Sequence, residues 1–373
     1  MTIKFIGTTL LTTALLLSLT ACGGGKAPET TPPETTPEQV ETIAPVKPEV
    51  TPEIQPESQP EPAPEVDPFT NPLTGETGEV ELASDRPVAI MLNNLKKALP
   101  QAGISQADVI YEIPVEGGIT RMMALFQSLD GIEEIGTVRS ARDYYVSLAV
   151  GHDAVFFHAG GSPQAYTALQ EWKVDRYDGV NGPYGADLFW RDAQRKAKAG
   201  TEHSMMTSAE SIVANLSSSS LRTEHNSNFN HVWTFTSEAA TGETANTITV
   251  PFSTLKNTVF TYDSATGNYL VNQYNAPYVD ANDGQQVSVK NVLVLYTDVD
   301  PIPGDTAGRL TIRTTGKGSG ILARDGVMQE ITWKRDSRND MLHFYDAAGD
   351  KVALSVGSSY INILDSGISA SWE

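Results

Sequence analysis

Arg86-Pro87-Val88-Ala89-Ile90-Met91-Leu92 and Ala107-Asp108-Val109-Ile110-Tyr111-Glu112-Ile113 are short runs, apolar at nearly every position. Apolar runs of this length, without alternation, read as strands buried on both faces. Residues 120–127, rich in Met, Leu and Phe, and Ala154-Val155-Phe156-Phe157-His158 read the same way. Between these runs, residues 140–150 have helical spacing, which puts Ala141, Tyr144, Tyr145 and Leu148 on one face. Thr207-Ser208-Ala209-Glu210 fits a capping box, so a further helix is expected to start at Thr207 and to carry Ile212, Val213 and Leu216. Strands alternating with helices predict an α/β domain over residues 69–220.

Beyond about residue 220 the pattern becomes short β-like runs separated by turns. Residues 257–262, 269–273 and 287–296 are three of them, and Asp263-Ser264-Ala265-Thr266-Gly267-Asn268 reads as the hairpin turn between the first two. Residues 318–323 and 360–364 continue the series, so a mostly β domain is expected over 221–373. The polar stretch His225-Asn226-Ser227-Asn228 marks the junction.

Upstream, Lys4 precedes an apolar run that ends at Leu19-Thr20-Ala21-Cys22. A short positive segment, a brief apolar core and small residues before a cysteine predict a lipoprotein signal over 1–21, with acyl chains such as palmitate on Cys22. The run is too short to span a bilayer permanently, and the lipid is the expected anchor. Cys22 is the only cysteine, so no intrachain disulfide is expected. Residues 22–68 are rich in Pro, Glu and Thr, and between Pro28 and Pro68 there are 12 of the 22 prolines and no aromatic residue. Such a segment cannot bury enough apolar surface to fold, and it predicts an acidic tether with a reach on the order of 140 Å. The expected location is extracytoplasmic, on the outer face of the cell membrane.

The chain carries a net charge of -20, and no run of Lys and Arg supplies the basic stripe that a nucleic acid needs. No Walker A sequence is present, and no cofactor is expected.

Polar residues of the first domain gather in four segments. Arg139-Ser140-Ala141-Arg142 opens the predicted helix, a place where guanidinium groups and backbone N-H donors favour a carboxylate or phosphate; the plainer reading pairs both arginines with Glu112, Glu116 or Asp143. In His158-Ala159-Gly160-Gly161-Ser162-Pro163, Gly160 and Gly161 allow close approach of a ligand, while Ser162 before Pro163 is either a nucleophile or a helix cap. Glu112, Glu116 and Arg121 flank the turn at Gly117-Gly118 and offer either acid and base groups or a salt-bridged turn. His203, before the capping box, could join His158 as base or ligand, but two histidines without a spaced partner do not make a closed zinc set, and no metal is expected. Ser253-Thr254-Leu255-Lys256 matches Ser-x-x-Lys in a β-like context without companion boxes and is read as a chance match. Asp280-Ala281-Asn282-Asp283-Gly284 reads as a turn.

At Ser105-Gln106-Ala107-Asp108-Val109-Ile110-Tyr111-Glu112, Val115-Glu116-Gly117-Gly118-Ile119-Thr120-Arg121, Arg139-Ser140-Ala141-Arg142 and His158-Ala159-Gly160-Gly161-Ser162-Pro163 the chain resembles the YerB-like lipoproteins of mainly Gram-positive bacteria. That family is built from a domain of unknown function with N- and C-terminal parts. The resemblance spans residues 86–364. Glu202-His203-Ser204 stands where the family usually has Pro-His-Asn, and Tyr278 stands where a histidine is expected. The resemblance implies a two-domain envelope lipoprotein and no established reaction. Three readings follow for the folded part. It binds an anionic envelope ligand, such as a wall glycan or peptide fragment, through Arg121, Arg139, Arg142 and the loop His158 to Ser162. Alternatively it is a wall or glycan hydrolase using Glu112 or Glu116 with His158 or His203. In the third reading it is a scaffold whose β domain meets protein partners.

Overall fold

Strands that are apolar on both sides settle where both faces of a sheet are covered, and the computed structural model, which describes residues 67–373, places them there. The signal, Cys22 and nearly all of the tether lie outside the described residues. In chain order the first half forms β1 (Val88–Asn93), β2 (Val109–Pro114), β3 (Thr120–Phe126), β4 (Glu134–Gly136), α1 (Asp143–Gly151), β5 (Val155–His158), α2 (Pro163–Glu171), β6 (Arg176–Asp178), β7 (Trp190–Arg191), α3 (Ala193–Ala199), β8 (Met205–Ser208) and α4 (Ala209–Ser218). Every residue of β1, β2, β3 and β5 is buried. β3 lies antiparallel between β2 and β1, and β5 and β6 continue from β1 in parallel.

Alternate side chains divide the core in two. Ile90, Leu92, Ile110, Met122 and Ala124 face one cluster, which also takes Ile212 of α4 together with Ile248, Val250, Phe260 and Val271 of a six-stranded second sheet. Ala89, Met91, Val109, Tyr111, Met123 and Leu125 face the other, beside Tyr144, Tyr145 and Leu148 of α1 and Leu169 of α2. Each large apolar side chain so buried contributes about 1.5–3 kcal/mol relative to exposure.

The large sheet does not stop at the expected junction near residue 220. β2 pairs in parallel with Ser359–Asp365, which pairs in parallel with Asn291–Thr297; Gly316–Arg324 and Val327–Arg335 follow, within an eleven-stranded sheet. The fold is mixed and rich in sheet, and residues on the two sides of the junction share main-chain hydrogen bonds. A doubly buried strand needs a neighbour on each edge, and local sequence does not say which segment supplies it.

Two helix starts differ from the expectation. Residues 139–142 are extended rather than helical: Arg139 N donates to Met91 O (2.8 Å), Ala141 N donates to Gly160 O (2.9 Å), and α1 begins at Asp143. The cap of α4 is Ser208, whose side chain accepts from Ser211 N (3.1 Å), whereas Thr207 stays in β8 and donates to Leu188 O (2.9 Å). Other local expectations hold. Gly267 N donates to Asp263 O (2.8 Å) in the hairpin turn, and Gly284 N donates to Asp280 O (3.0 Å) in the other.

Burial also sets a pH response. His152, sealed behind Tyr111 OH (2.8 Å from Nε2), is pushed down to about 3 by desolvation and by Arg335. An unfolded chain takes up this proton near 6.5 while the folded chain refuses it until about 3, so stability falls as pH falls through that window. Asp108, pushed up to about 6 by burial, acts in the opposite sense. Urea unfolding between pH 7 and 4 should therefore show a smaller acid loss for His152→Gln than for the parent, since Asp108 is common to both.

Candidate functional site

The loops after β4, β5 and β6 come together with β7 and the turn at Thr201–His203 around a cleft of about 510 Å³. Its charged and polar lining is Arg139, Ser140, Tyr166, Asn181, Arg191, Thr201 and Glu202; Gly160 and Gly161 form part of its wall. Gly160 adopts φ +77, a left-handed conformation that favours glycine. Asp178 shapes this loop by accepting from Gly160 N and Val180 N, each at 2.9 Å, through one oxygen and from Tyr166 OH (2.7 Å) through the other. Asn181 Nδ2 also donates to Tyr166 OH.

Positive charge dominates the cleft. Arg139 donates to the exposed carboxylate of Glu202 (2.9 Å), and that hydrogen bond holds Glu202 below the usual carboxylate range. Arg191 donates to Thr201 O; burial, then the neighbouring Arg139, lowers its pKa. Arg121 of β3 lies behind Ser140, whose carbonyl accepts from it (2.8 Å). It is 7 % exposed and has no carboxylate within 4.0 Å among the described residues. Burial, then Arg142 and Arg139, push it down to about 9. An unpaired cation in such a place is costly unless an anion meets it.

The other residues singled out in the sequence take different places. Arg142 is the residue before α1 and grips Glu116 with two prongs (2.7 and 2.8 Å), so the salt-bridged reading of that turn holds for this pair. Ser162 accepts from Ala165 N (3.1 Å) and caps α2, with Pro163 first in the helix. His158 is fully buried; its Nδ1 donates to Gly160 O (2.8 Å), and its Nε2 has no partner among the described residues. His203 accepts at Nδ1 from Asn93 Nδ2 (2.8 Å) and lines a neighbouring cleft.

Glu112 leaves the cleft altogether. It is fully buried and receives Asn94 Nδ2 (2.8 Å), Thr120 Oγ1 (2.6 Å), Thr258 Oγ1 (2.8 Å), Tyr360 OH (2.6 Å) and the ammonium of Lys256 (2.9 Å). The lysine of the Ser-x-x-Lys stretch is thus a core partner. Ser253 Oγ accepts from Leu255 N (3.0 Å) and Lys256 N (3.1 Å) and so builds the turn that sends Lys256 inward. Arg191, Tyr166 and Asn181 were not singled out from sequence, and Lys256 was met there only as a chance Ser-x-x-Lys match. For Arg191 the usable signal would have been Asp192 as a helix cap directly after it: Asp192 accepts from Arg195 N (2.6 Å) at the start of α3.

Comparison with known proteins gives a family and a fold. The family described as protein of unknown function (DUF3048) matches twice: its N-terminal domain over residues 73–222 and its C-terminal domain over 248–361. YerB of Bacillus subtilis (strain 168), which its name assigns to the lipoproteins, is 32% identical over 70% of this chain and 77% of its own length. The crystal structure of YerB protein from Bacillus subtilis superposes with a TM-score of 0.71 and 30% identity, covering 81% of this chain and 99% of that one.

The sealed pair makes a double comparison informative. Removing one partner of a buried pair costs about 3–5 kcal/mol, because the other charge is left in the core. Lys256→Met should lower the unfolding free energy by about that amount. Lys256→Met combined with Glu112→Gln should recover part of the loss in chemical denaturation.

Proposed function

The chain belongs to the DUF3048 family, and from that premise we propose that it is a lipid-anchored protein of the cell envelope whose folded part binds an anionic ligand in the cleft of Arg139 and Arg191. Membrane attachment rests on Leu19-Thr20-Ala21-Cys22 and on the lipoprotein name of the Bacillus relative. Among the described residues no helix is long and apolar enough to cross a membrane.

One observation carries the binding reading: Arg139 and Arg191 line one cleft, Arg121 stands behind its Ser140 wall, and Glu202 is the single carboxylate in the lining. Glu202 is bound from the surface, with its side chain 72% exposed, so an incoming carboxylate or phosphate can replace it at little cost. Arg139 then presents a two-pronged donor to the ligand. Tyr166 and Val180 add an apolar wall, which suits a wall glycan or peptide fragment that carries an acid group. Glu116 is held by Arg142 and Glu112 is sealed in the core, so neither carboxylate named for hydrolysis lines this cleft.

Wall fragments should stabilise the protein on heating, by about 2.7 kcal/mol at a concentration near 100 Kd. Arg139→Ala with Arg191→Ala should remove most of that gain while leaving the unliganded melting temperature nearly unchanged. A double variant stabilised as well as the parent overturns the reading. Glu202→Gln should strengthen binding in the same assay. For the anchor, Cys22→Ala should shift the chain from the membrane fraction to the soluble fraction and abolish incorporation of labelled fatty acid.

A further inference from the structure

Next to the first cleft lies a second of about 330 Å³, whose lining includes Lys97, Arg195, Lys198 and His203. Residues 201–203 separate the two: Thr201 and Glu202 line the first and His203 lines the second. α3 and the turn at Lys96–Ala98 build the second cleft together. Arg195 donates to Pro100 O (2.7 Å), and Lys198 Nζ donates to Leu99 O (3.3 Å), so the two elements are laced through carbonyl groups.

Charge sets this strip apart. The chain has 46 acidic residues against 26 Lys and Arg, so cations ought to find carboxylates readily. Yet Lys97, Arg191, Arg195 and Lys198 have no carboxylate within 4.0 Å among the described residues. Of the acids lining the second cleft, Asp192 is turned to the backbone of α3 as its cap, and Glu134 lies exposed. His203 accepts at Nδ1, which leaves its proton on Nε2, where a neutral imidazole donates. Lysines in the last turn of a helix also complement its dipole, which accounts for Lys198 alone but not for Lys97 or Arg191.

We propose that the two clefts form one track for a linear polymer bearing a phosphate on each repeat, with Arg139 and Arg191 holding one phosphate and Lys97, Arg195 and Lys198 holding the next. The idea rests on the binding reading above and names its ligand class. Arginine suits a phosphate gripped with two prongs, and lysine suits one met as a point charge. The acidic remainder of the molecule repels such a polymer everywhere else, which confines it to the strip. A ligand with a single anion would leave one cleft unused.

Long-chain inorganic polyphosphate and tripolyphosphate are the probes, tested by competition for a fluorescent long chain on the full-length protein in non-ionic detergent. The long chain should bind at least about tenfold more tightly, with an affinity that falls steeply as salt is raised. Lys97→Gln with Lys198→Gln should reduce long-chain binding about tenfold while wall fragments still stabilise the protein through the first cleft; arginine at both positions should restore the long-chain advantage. Equal affinity for the two probes, with the lysine variant silent and Arg139→Ala with Arg191→Ala still harmful, overturns the track and leaves the first cleft intact. Failure of both probes while wall fragments still stabilise the protein also sinks the track alone. Failure of wall fragments as well removes both readings. Equal binding to duplex DNA or to vesicles of phosphatidylglycerol overturns the track in favour of a general polyanion or membrane surface.

Discussion

A carboxylate with no access to water has to be met by donors, and Glu112 is met by five. Asn94 and Thr120 come from the first half of the chain, whereas Lys256, Thr258 and Tyr360 come from the second. This cluster and the parallel pairing of β2 with Ser359–Asp365 hold the same strand from the side and from the edge. Neither half could present its share of the cluster alone without burying unmet polar groups. The position of β2 therefore depends on segments far away in sequence, and so do β3 and β1, which are registered against it.

That registration sets the cleft. β1 places Asn93 opposite Arg121 on β3, and each side chain reaches out of the sheet toward the functional end: Asn93 to His203, Arg121 to the Ser140 carbonyl. Residues 139–142 are extended because they are stitched to β1 on one side and to the glycine loop on the other. A helix starting at Ser140 would have turned Arg139 away from that seam. Its extended form lets Arg139 reach Glu202 across the cleft.

The two basic clefts also qualify what acidity implies. No long Lys and Arg run occurs in the sequence, but Lys97, Arg139 and the segment holding Arg191, Arg195 and Lys198 are far apart along the chain and meet only in the fold. Net charge is a sum over the chain, while binding responds to the local field, and a small cationic strip on an acidic body is more sharply defined than one on a neutral body.

Local pattern was enough for what depends on near neighbours. Continuous apolar runs marked the buried strands, Ser162 before Pro163 marked a helix start, and Asp263 with Gly267 marked a hairpin, because side-chain period, caps and turns are settled within a few residues. The resemblance to the YerB-like family was likewise written in short motifs. Tertiary structure alone decided that one sheet crosses the expected junction, that Glu112 goes to Lys256 rather than to a cleft, and that Arg191 joins Arg139. Each of these is a contact between residues distant along the chain. Its energy comes from burial and pairing that exist only once the intervening chain has folded, so no local window contains it.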